Sequence, residues 1–141
     1  MIKQQLPPDD PYINHVRVVN RLKEELEKYE YLIVGFDFDD TIYDYHKKGY
    51  TYDGVINLLR KAKELGFILC LYTVEPNPHK LAWKIGYCAK LGIGLDYINK
   101  SPVMIGTTKP FFNILLDDRA GLYSSYLALK EIIEYAESKS N

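Results

Sequence analysis

The sequence predicts an α/β protein built on a doubly wound parallel sheet. Three short apolar runs lie at residues 32–36, 67–73 and 112–116, and a shorter run, DYIN, lies at 96–99. Segments with apolar residues at helical spacing lie before, between and after these runs. Because strands that alternate with helices form parallel sheets with right-handed crossovers, we expect about four parallel strands.

Length and composition agree with a single domain spanning residues 1–141. Of the 141 residues, 47% are hydrophobic and 26% charged, and the net charge of −1 gives no general attraction to nucleic acid or anionic membranes. No apolar run has the length of a membrane-spanning helix, and the first residues, MIKQQLPPDD, contain no signal segment. Cys70 and Cys88 lack CxxC spacing and are expected to be free thiols. We therefore expect a cytoplasmic protein without membrane contact.

The chain begins with a predicted loose arm, residues 1–10, which is polar and contains two prolines. A helix is predicted over 11–29, with Asp10 as its N-cap and Pro11 in its first turn. We expect this helix to cover the sheet. The alternative is that it supplies a homodimer contact. The apolar stripe that serves either role comprises Ile13, Val16, Val19, Leu22 and Leu26.

The run at 32–36 has no polar alternation, so it suits a strand that is buried on both faces. A short connection, 42–52, leads to a helix predicted over 53–65. Gly66 is expected to end this helix, because glycine adopts the left-handed conformation at little cost. The strand at 67–73 follows.

Asn77 and Pro78 suit the N-cap and the first residue of the next helix, which is predicted to run to Leu91 before Gly92. The remaining elements are expected in this order: a strand at 96–99, a loop at 100–110, the strand at 112–116 and a helix at 121–136.

Acidic residues follow the first and the last predicted strands. Asp37, Asp39 and Asp40 come after the first, and Asp117 and Asp118 after the last. The carboxyl ends of parallel strands meet at one edge of the sheet, where such sheets bind ligands. Asp37 and Asp39 are two residues apart, so in extended chain they point to the same side and can serve one site. Carboxylates held that close repel, and a divalent cation relieves the repulsion.

The same edge is predicted to hold Thr73, at the end of the second strand, and Lys109, in the loop before the last. A phosphate needs a magnesium ion and a lysine to neutralise its charge, a hydroxyl to orient it and an in-line nucleophile. Asp37 can attack phosphorus to form an aspartyl-phosphate, while Asp39 can protonate the leaving oxygen and later take a proton from water. The residues therefore predict Mg²⁺-dependent phosphoryl chemistry.

Four short motifs occur in an informative order. DFDDT at 37–41, the threonine of LYT at 71–73, the KP pair at 109–110 and LLDD at 115–118 resemble the four signature motifs of the haloacid dehalogenase (HAD) superfamily. The second acid of DFDDT resembles the phosphatase branch rather than the ATPase branch, whose motif has threonine there. The resemblance implies a HAD-like fold, with about four parallel strands in the order 4-1-2-3 and no cap domain, and a phosphomonoester hydrolase.

The resemblance also implies a role for each matching residue. Asp37 would be the nucleophile and Asp39 the general acid and base. Other implied roles are Thr73 and Lys109 as phosphate anchors, and Asp37, the Asp39 carbonyl and Asp117 or Asp118 as ligands of Mg²⁺.

The sequence departs from the family pattern in two respects. Lys109 stands eight residues before Asp117 with no helix between them, so Lys100 is its rival as the phosphate-binding lysine. Asp40 replaces a common glycine, as in the DxDDT pattern of some small phosphatases and nucleotidases, and it is expected with Thr41 to bind substrate. Both places where the family inserts a cap domain are short here, so no cap is expected.

Two alternative functions stay open. A phosphoacceptor of the receiver type also uses acids, a threonine and a lysine on a doubly wound sheet. Its acceptor aspartate follows the third strand, however, where this chain has Asn99. A catalytically silent module would keep the site for binding metal or phosphate alone.

A site without a cap is open and can admit a large substrate, such as a nucleic-acid end or a phosphorylated protein, unless a second subunit closes it. Lys47 and Lys48 offer positive charge beside the acids, whereas His46 and His79 have no partners at ligand spacing and are expected on the surface. We predict a nucleotide or polynucleotide phosphate ahead of a sugar phosphate. Four tyrosines either stack on a base or simply pack: Tyr43, Tyr45, Tyr50 and Tyr52.

Overall fold

The structure is a computed structural model that describes residues 12, 14–103, 106–107 and 109–140. Helices and strands alternate from α1 to β3, as the sequence predicts, and β4 follows β3 with no helix between them. In chain order the elements are α1 (His15–Tyr29), β1 (Ile33–Phe36), α2 (Asp53–Glu64), β2 (Ile68–Leu71), α3 (Pro78–Lys90), β3 (Tyr97–Ile98), β4 (Ile114–Leu116) and α4 (Leu122–Ser140).

The four strands form one parallel sheet in the order β3-β2-β1-β4. This is the predicted order 4-1-2-3 read from the opposite edge, so the α/β class, the parallel sheet and the strand order are confirmed. In the middle of the sheet, Gly35 of β1 lies in register with Cys70 of β2 on one side and Leu115 of β4 on the other. That residues 1–141 form one domain stays a prediction.

The hydrophobic core lies on one face of the sheet. Val34 and Phe36 of β1 belong to the same cluster of buried residues as Leu59 of α2, Cys88 of α3 and Ile132 of α4. Side chains of α1 join this cluster as well, so all four helices pack on this face. The arrangement is therefore simpler than the predicted doubly wound sheet, which carries helices on both faces.

The other face of the sheet is covered differently. Gly35 and Cys70 point to it and lie outside the main core cluster. The Tyr72 ring lies directly over Gly35, and the Tyr72 hydroxyl donates to the Phe111 carbonyl oxygen at 3.1 Å. Among the described residues, Tyr72 and the connection between β3 and β4 thus cover this face where a helix was expected.

The boundaries of α1 differ from the predicted ones. The expected start at Asp10 and Pro11 lies outside the described residues, as does the loose arm, residues 1–10. The helix itself begins at His15, because Asn14 has extended backbone and its side chain accepts a hydrogen bond from the Arg17 N–H at 3.3 Å. α1 packs against α4, which agrees with a helix that covers the core. A homodimer contact stays a prediction.

The predicted caps of α2 and α3 are confirmed. The residues after these helices, Gly66 and Gly92, have φ angles of 83° and 76°, in the left-handed region that glycine tolerates best. Asn77 caps α3 by accepting hydrogen bonds from the N–H groups of His79 and Lys80 at 2.9 and 3.3 Å. In the part of the chain that the structure describes, no helix combines the length and the apolarity needed to cross a membrane.

We expect Gly35→Ala to destabilise the protein. A methyl group at this position would lie 3.0 Å from the Tyr72 ring and 3.3 Å from Leu115, and the hydroxyl bond to Phe111 hinders the ring from moving away. Overpacking of this kind costs about 1–2 kcal/mol in free energy of unfolding, measured by urea denaturation.

Gly86→Ala is the matched control. Gly86 lies within α3, and apart from the backbone of its own helix a methyl group there would meet no atom within 4 Å. Alanine at an open helical position stabilises by roughly 0.5–1 kcal/mol. Equal effects of the two substitutions would show that the contact of Tyr72 with Gly35 is not a tight one.

Candidate functional site

Three carboxylates meet where β1 and β4 end. Asp37 follows β1 directly, and its N–H donates to the Leu116 carbonyl of β4 at 2.9 Å, so the strand pairing continues to the site. Asp117 and Asp118 follow β4. One oxygen from each of Asp37, Asp117 and Asp118 lies within 4.8 Å of the others. The predicted gathering of these acids at one edge of the sheet is thus observed.

The electrostatics of Asp37 reflect this crowding. Burial of its carboxyl group, a hydrogen bond with Asp118 and the negative charge of Asp117 together raise the pKa of Asp37 from 3.8 to about 7. Carboxylate oxygens are the ligands that hard divalent cations prefer, and a cation would relieve the repulsion among these three groups. The donor set therefore fits a divalent cation. The Asp39 carboxylate lies apart from this set.

Thr41 connects the two strand ends. Its side chain is fully buried, and its hydroxyl donates to the Asp37 carboxylate at 3.4 Å while accepting the Asp118 N–H at 3.2 Å. The backbone between them turns tightly, because the N–H groups of Thr41, Ile42 and Tyr43 all converge on the Phe38 carbonyl. Thr41 therefore holds the acids in position, which gives it a structural role in addition to the substrate contact that was expected.

A buried lysine lies on the other side of Asp39. Lys84 of α3 is 4% exposed, and its Nζ donates to the Thr73 hydroxyl at 2.9 Å. The same Nζ lies 3.4 Å from a carboxylate oxygen of Asp39 and 3.4 Å from one of Glu75, and 5.3 Å from the centre of the Phe38 ring. A buried cation needs such partners, since burial without them is costly. Lys84 thus joins the ends of β1 and β2 through its ammonium group.

Thr73 is held in place by the end of β3. Its N–H donates to the side-chain oxygen of Asn99 at 2.7 Å. Asn99 has a φ angle of 51°, a left-handed conformation that asparagine tolerates better than most residues. The third strand end therefore positions the second, and Thr73 lies at the edge of the sheet where the sequence predicted it.

Ten described residues surround an open depression of about 450 Å³ at this edge, here called the acidic depression. Neither Lys109 nor Lys100 is among these ten; both side chains are exposed. The residues that line the acidic depression are Asp37, Asp39, Asp40, Tyr45, His46, Thr73, Val74, Asp117, Asp118 and Arg119.

Lys84 was not among the predicted site residues. A signal was nevertheless present, since Lys84 stands at helical spacing with Tyr87, Cys88 and Leu91, which pack into or against the core. A lysine on the buried stripe of a helix requires an acidic or polar partner, and the nearest strand ends supply several.

Asp40 forms a pair with His46. Asp40 is 8% exposed and has a φ angle of 57°. Its carboxylate accepts the backbone N–H of His46 at 3.3 Å and contacts Nδ1 of the same residue. Burial acts to raise the pKa of Asp40, but the two hydrogen bonds from His46 outweigh it and hold the pKa below its usual range. His46 is exposed, as predicted, but it is not without a partner.

The four tyrosines after Thr41 divide into two groups. Tyr43 packs with Phe38, Trp83 and Tyr87, its ring centre lying 5.1–5.5 Å from theirs. Tyr52 is half-buried against the core, whereas the other two are mostly exposed, Tyr45 at 58% and Tyr50 at 62%. Of the four, Tyr45 alone lines the acidic depression.

Comparison with known proteins adds evidence on the fold. No family model matches the chain, and no curated protein matches it. A solved structure of a conserved protein from Bacteroides thetaiotaomicron is similar, with a TM-score of 0.57 and 24% sequence identity over 71% of this chain and 90% of that one. At this identity the similarity supports the shared fold alone.

We expect Asp37 to make the stability of the metal-free protein depend on pH. An acid whose pKa is raised on folding favours its protonated form in the folded state. The contribution of Asp37 to the free energy of unfolding is therefore fully present below pH 3.8 and is lost as the pH rises through about 7. In chelator, wild type should lose free energy of unfolding between pH 4 and pH 8 relative to Asp37→Asn, which carries no such proton. Urea denaturation of both proteins checks this, and parallel pH dependences would contradict it.

Proposed function

We propose that this protein is a magnesium-dependent phosphomonoester hydrolase of the HAD type that acts through an aspartyl-phosphate. The observation that carries the proposal is the position of Asp37. It lies between Asp117 and Asp118 on one side and the Lys84–Thr73 pair beyond Asp39 on the other, all at the carboxyl edge of one parallel sheet. Acids beside a lysine and a hydroxyl are the groups that phosphoryl transfer requires.

The chemistry follows from the proposed roles of the two acids. Asp37 attacks phosphorus, a bond forms from its carboxylate oxygen to phosphorus, and the bond from phosphorus to the ester oxygen breaks. Asp39 gives a proton to the departing oxygen. Water then attacks the aspartyl-phosphate, Asp39 takes the proton from that water, and inorganic phosphate leaves. The Asp39 side chain is 36% exposed, so solvent reaches it.

The remaining groups bind the phosphate and neutralise its negative charge. Asp37, Asp117 and Asp118 would hold Mg²⁺, which supplies positive charge that neutralises the phosphate oxygens. We assign phosphate binding to Lys84 and Thr73, because the Lys84 ammonium is buried against the Thr73 hydroxyl and Asp39. The resemblance to the HAD motifs points to Lys109 instead, and that assignment is the rival hypothesis.

The substrate that we propose is a nucleotide or polynucleotide phosphate. The acidic depression is open, and the connections after β1 and between β2 and β3 are short, as in a HAD protein without a cap. The exposed ring of Tyr45 lies on the wall of the acidic depression, where it can stack on a base at roughly 1–3 kcal/mol. The position of Asn99 after β3 disfavours the receiver alternative, which requires an acceptor aspartate there.

We expect Asp37→Asn to abolish the turnover of p-nitrophenyl phosphate in Mg²⁺ while the protein stays folded. The amide keeps the shape of the carboxylate but cannot attack phosphorus. Chelator should stop wild-type turnover as well. Release of nitrophenol measures both effects, and circular dichroism checks the fold of the variant. Substantial turnover by Asp37→Asn would remove Asp37 as the nucleophile.

Two lysine substitutions discriminate between the rival phosphate anchors. Lys84→Gln should lower kcat/KM for p-nitrophenyl phosphate by about 100-fold, as the loss of one positioned donor does in other enzymes. Lys109→Gln, which changes an exposed lysine on the loop before β4, should stay within about twofold of wild type. The reverse result would assign phosphate binding to Lys109. Melting temperatures of both variants separate a loss of binding from a loss of folding.

A further inference from the structure

The wall of the acidic depression carries positive groups above its acidic floor. Of the described residues that line it, Arg119 and His46 bear the side chains that can be cationic. The charge of Lys48 acts on Asp40 from nearby. The reaction proposed above uses none of these three groups, although they lie beside the site of phosphoryl transfer.

The loop that carries His46, residues 44–49, is held in a defined conformation. The Asp44 carboxylate accepts hydrogen bonds from the N–H groups of Lys48 at 2.9 Å and Gly49 at 2.7 Å. The Asp44 carbonyl accepts the N–H of Lys47 at 3.3 Å. Because these bonds lie within the loop, its shape does not depend on a bound substrate.

The His46 ring is oriented from below by Asp40. A carboxylate accepts hydrogen bonds, so Nδ1 of His46 donates to Asp40 and the opposite nitrogen, Nε2, is the one left for a ligand. Within the described part of the chain Nε2 makes no hydrogen bond, and the side chain is 57% exposed. A buried acid that fixes one ring nitrogen in this way defines how the other nitrogen meets a substrate.

Arg119 is fixed at its backbone. Its N–H donates to the Asp117 carboxylate at 2.9 Å, which places the residue directly beside the three acids. Its guanidinium is exposed and has the planar geometry that binds phosphate through two parallel hydrogen bonds.

We propose that His46 and Arg119 form a subsite for a second phosphate group of the substrate. The subsite rests on the proposed phosphatase function and narrows its substrate to phosphomonoesters that carry another phosphate on the leaving group, as nucleoside bisphosphates and phosphate-ended oligonucleotides do. The acidic floor repels a second anion, so a substrate with two phosphates needs cations on the wall. An imidazole that donates one proton to Asp40 and another to a phosphate satisfies both anions.

The test compares adenosine 5′-monophosphate with adenosine 3′,5′-bisphosphate in Mg²⁺. The two share the base, so stacking on Tyr45 cancels in the ratio of their kcat/KM values. Wild type should prefer the bisphosphate by about tenfold or more, which corresponds to about 1.4 kcal/mol. His46→Gln and Arg119→Gln should each lower this ratio to roughly twofold, chiefly through the KM of the bisphosphate.

His79→Gln is the matched control. His79 is exposed in the first turn of α3 and does not line the acidic depression. The ratio of the kcat/KM values for the two nucleotides should therefore be the same in His79→Gln as in wild type. Calorimetric Kd values for both nucleotides, measured in an Asp39→Asn background with Mg²⁺, give a second readout that does not require turnover. The bisphosphate should have the lower Kd, and the ratio of the two Kd values should move toward one in His46→Gln.

Two results would overturn the subsite: equal constants for the two nucleotides in wild type, or a preference that neither His46→Gln nor Arg119→Gln changes. A wild type that hydrolyses neither nucleotide nor p-nitrophenyl phosphate would overturn the phosphatase function instead. In that case the Kd values decide on the subsite separately, since a preference for the bisphosphate that is lost in His46→Gln supports it and equal Kd values exclude it.

Discussion

The parallel pairing of β1 with a strand on each side is the constraint on which the rest of the structure depends. Because β2 and β4 both run parallel to β1 and in register with it, three strands end at the same edge of the sheet. The residues that follow these strands at that edge include Asp37, Thr73 and Asp117. Strand side chains alternate between faces, so a register shift of one residue in β4 would reverse the direction in which its side chains point. The buried hydroxyl of Thr41, bonded to both Asp37 and Asp118, fixes the register where the site begins.

The distribution of charge at this edge divides the acids into two kinds. Asp39 and Glu75 share the buried ammonium of Lys84, and Asp40 is paired with His46. Among the described residues, no side-chain cation pairs with the set of Asp37, Asp117 and Asp118, and burial and the two acidic neighbours raise the pKa of Asp37. Removing one partner from a buried ion pair leaves a charge uncompensated, so these pairs are costly to break. The three unpaired carboxylates instead fit a bound cation, which is why we propose that the chemistry takes place there.

Much of the fold followed from local pattern. Apolar runs of strand length, the caps at Asn77 and Gly66, and the rule that parallel strands connect by right-handed crossovers were enough to predict a parallel sheet of about four strands. The clustering of the acids followed as well, because it requires only that the strands be parallel. The helices on a single face were not predicted. The described part of the connection between β3 and β4, which covers the second face, has no regular pattern in the sequence. The hydrogen bond from Tyr72 to Phe111 joins residues far apart in the sequence, so no local pattern predicts it.

The contacts that the sequence missed depend on tertiary geometry. Lys84 reaches Thr73 and Asp39 because α3 is rotated to bury that position, and helical spacing alone does not distinguish a buried lysine from one at the boundary of a stripe. The pair of Asp40 and His46 forms because Asp40 adopts a left-handed backbone that turns the loop back on itself. Lys109 was predicted from motif order, whereas in the structure its side chain is exposed and, like that of Lys84, is not among those that line the acidic depression.

The central claim is that Asp37 becomes phosphorylated during turnover. The most direct measurement is acid quenching of the protein while it hydrolyses p-nitrophenyl phosphate in Mg²⁺, followed by proteolysis and mass spectrometry of the peptides. The account predicts one phosphoryl group on the peptide that contains Asp37, localised to that residue by fragmentation and removed by hydroxylamine, as an acyl phosphate is. Steady turnover without a phosphorylated peptide, or a phosphoryl group on Asp117 or Asp39 instead, would contradict it.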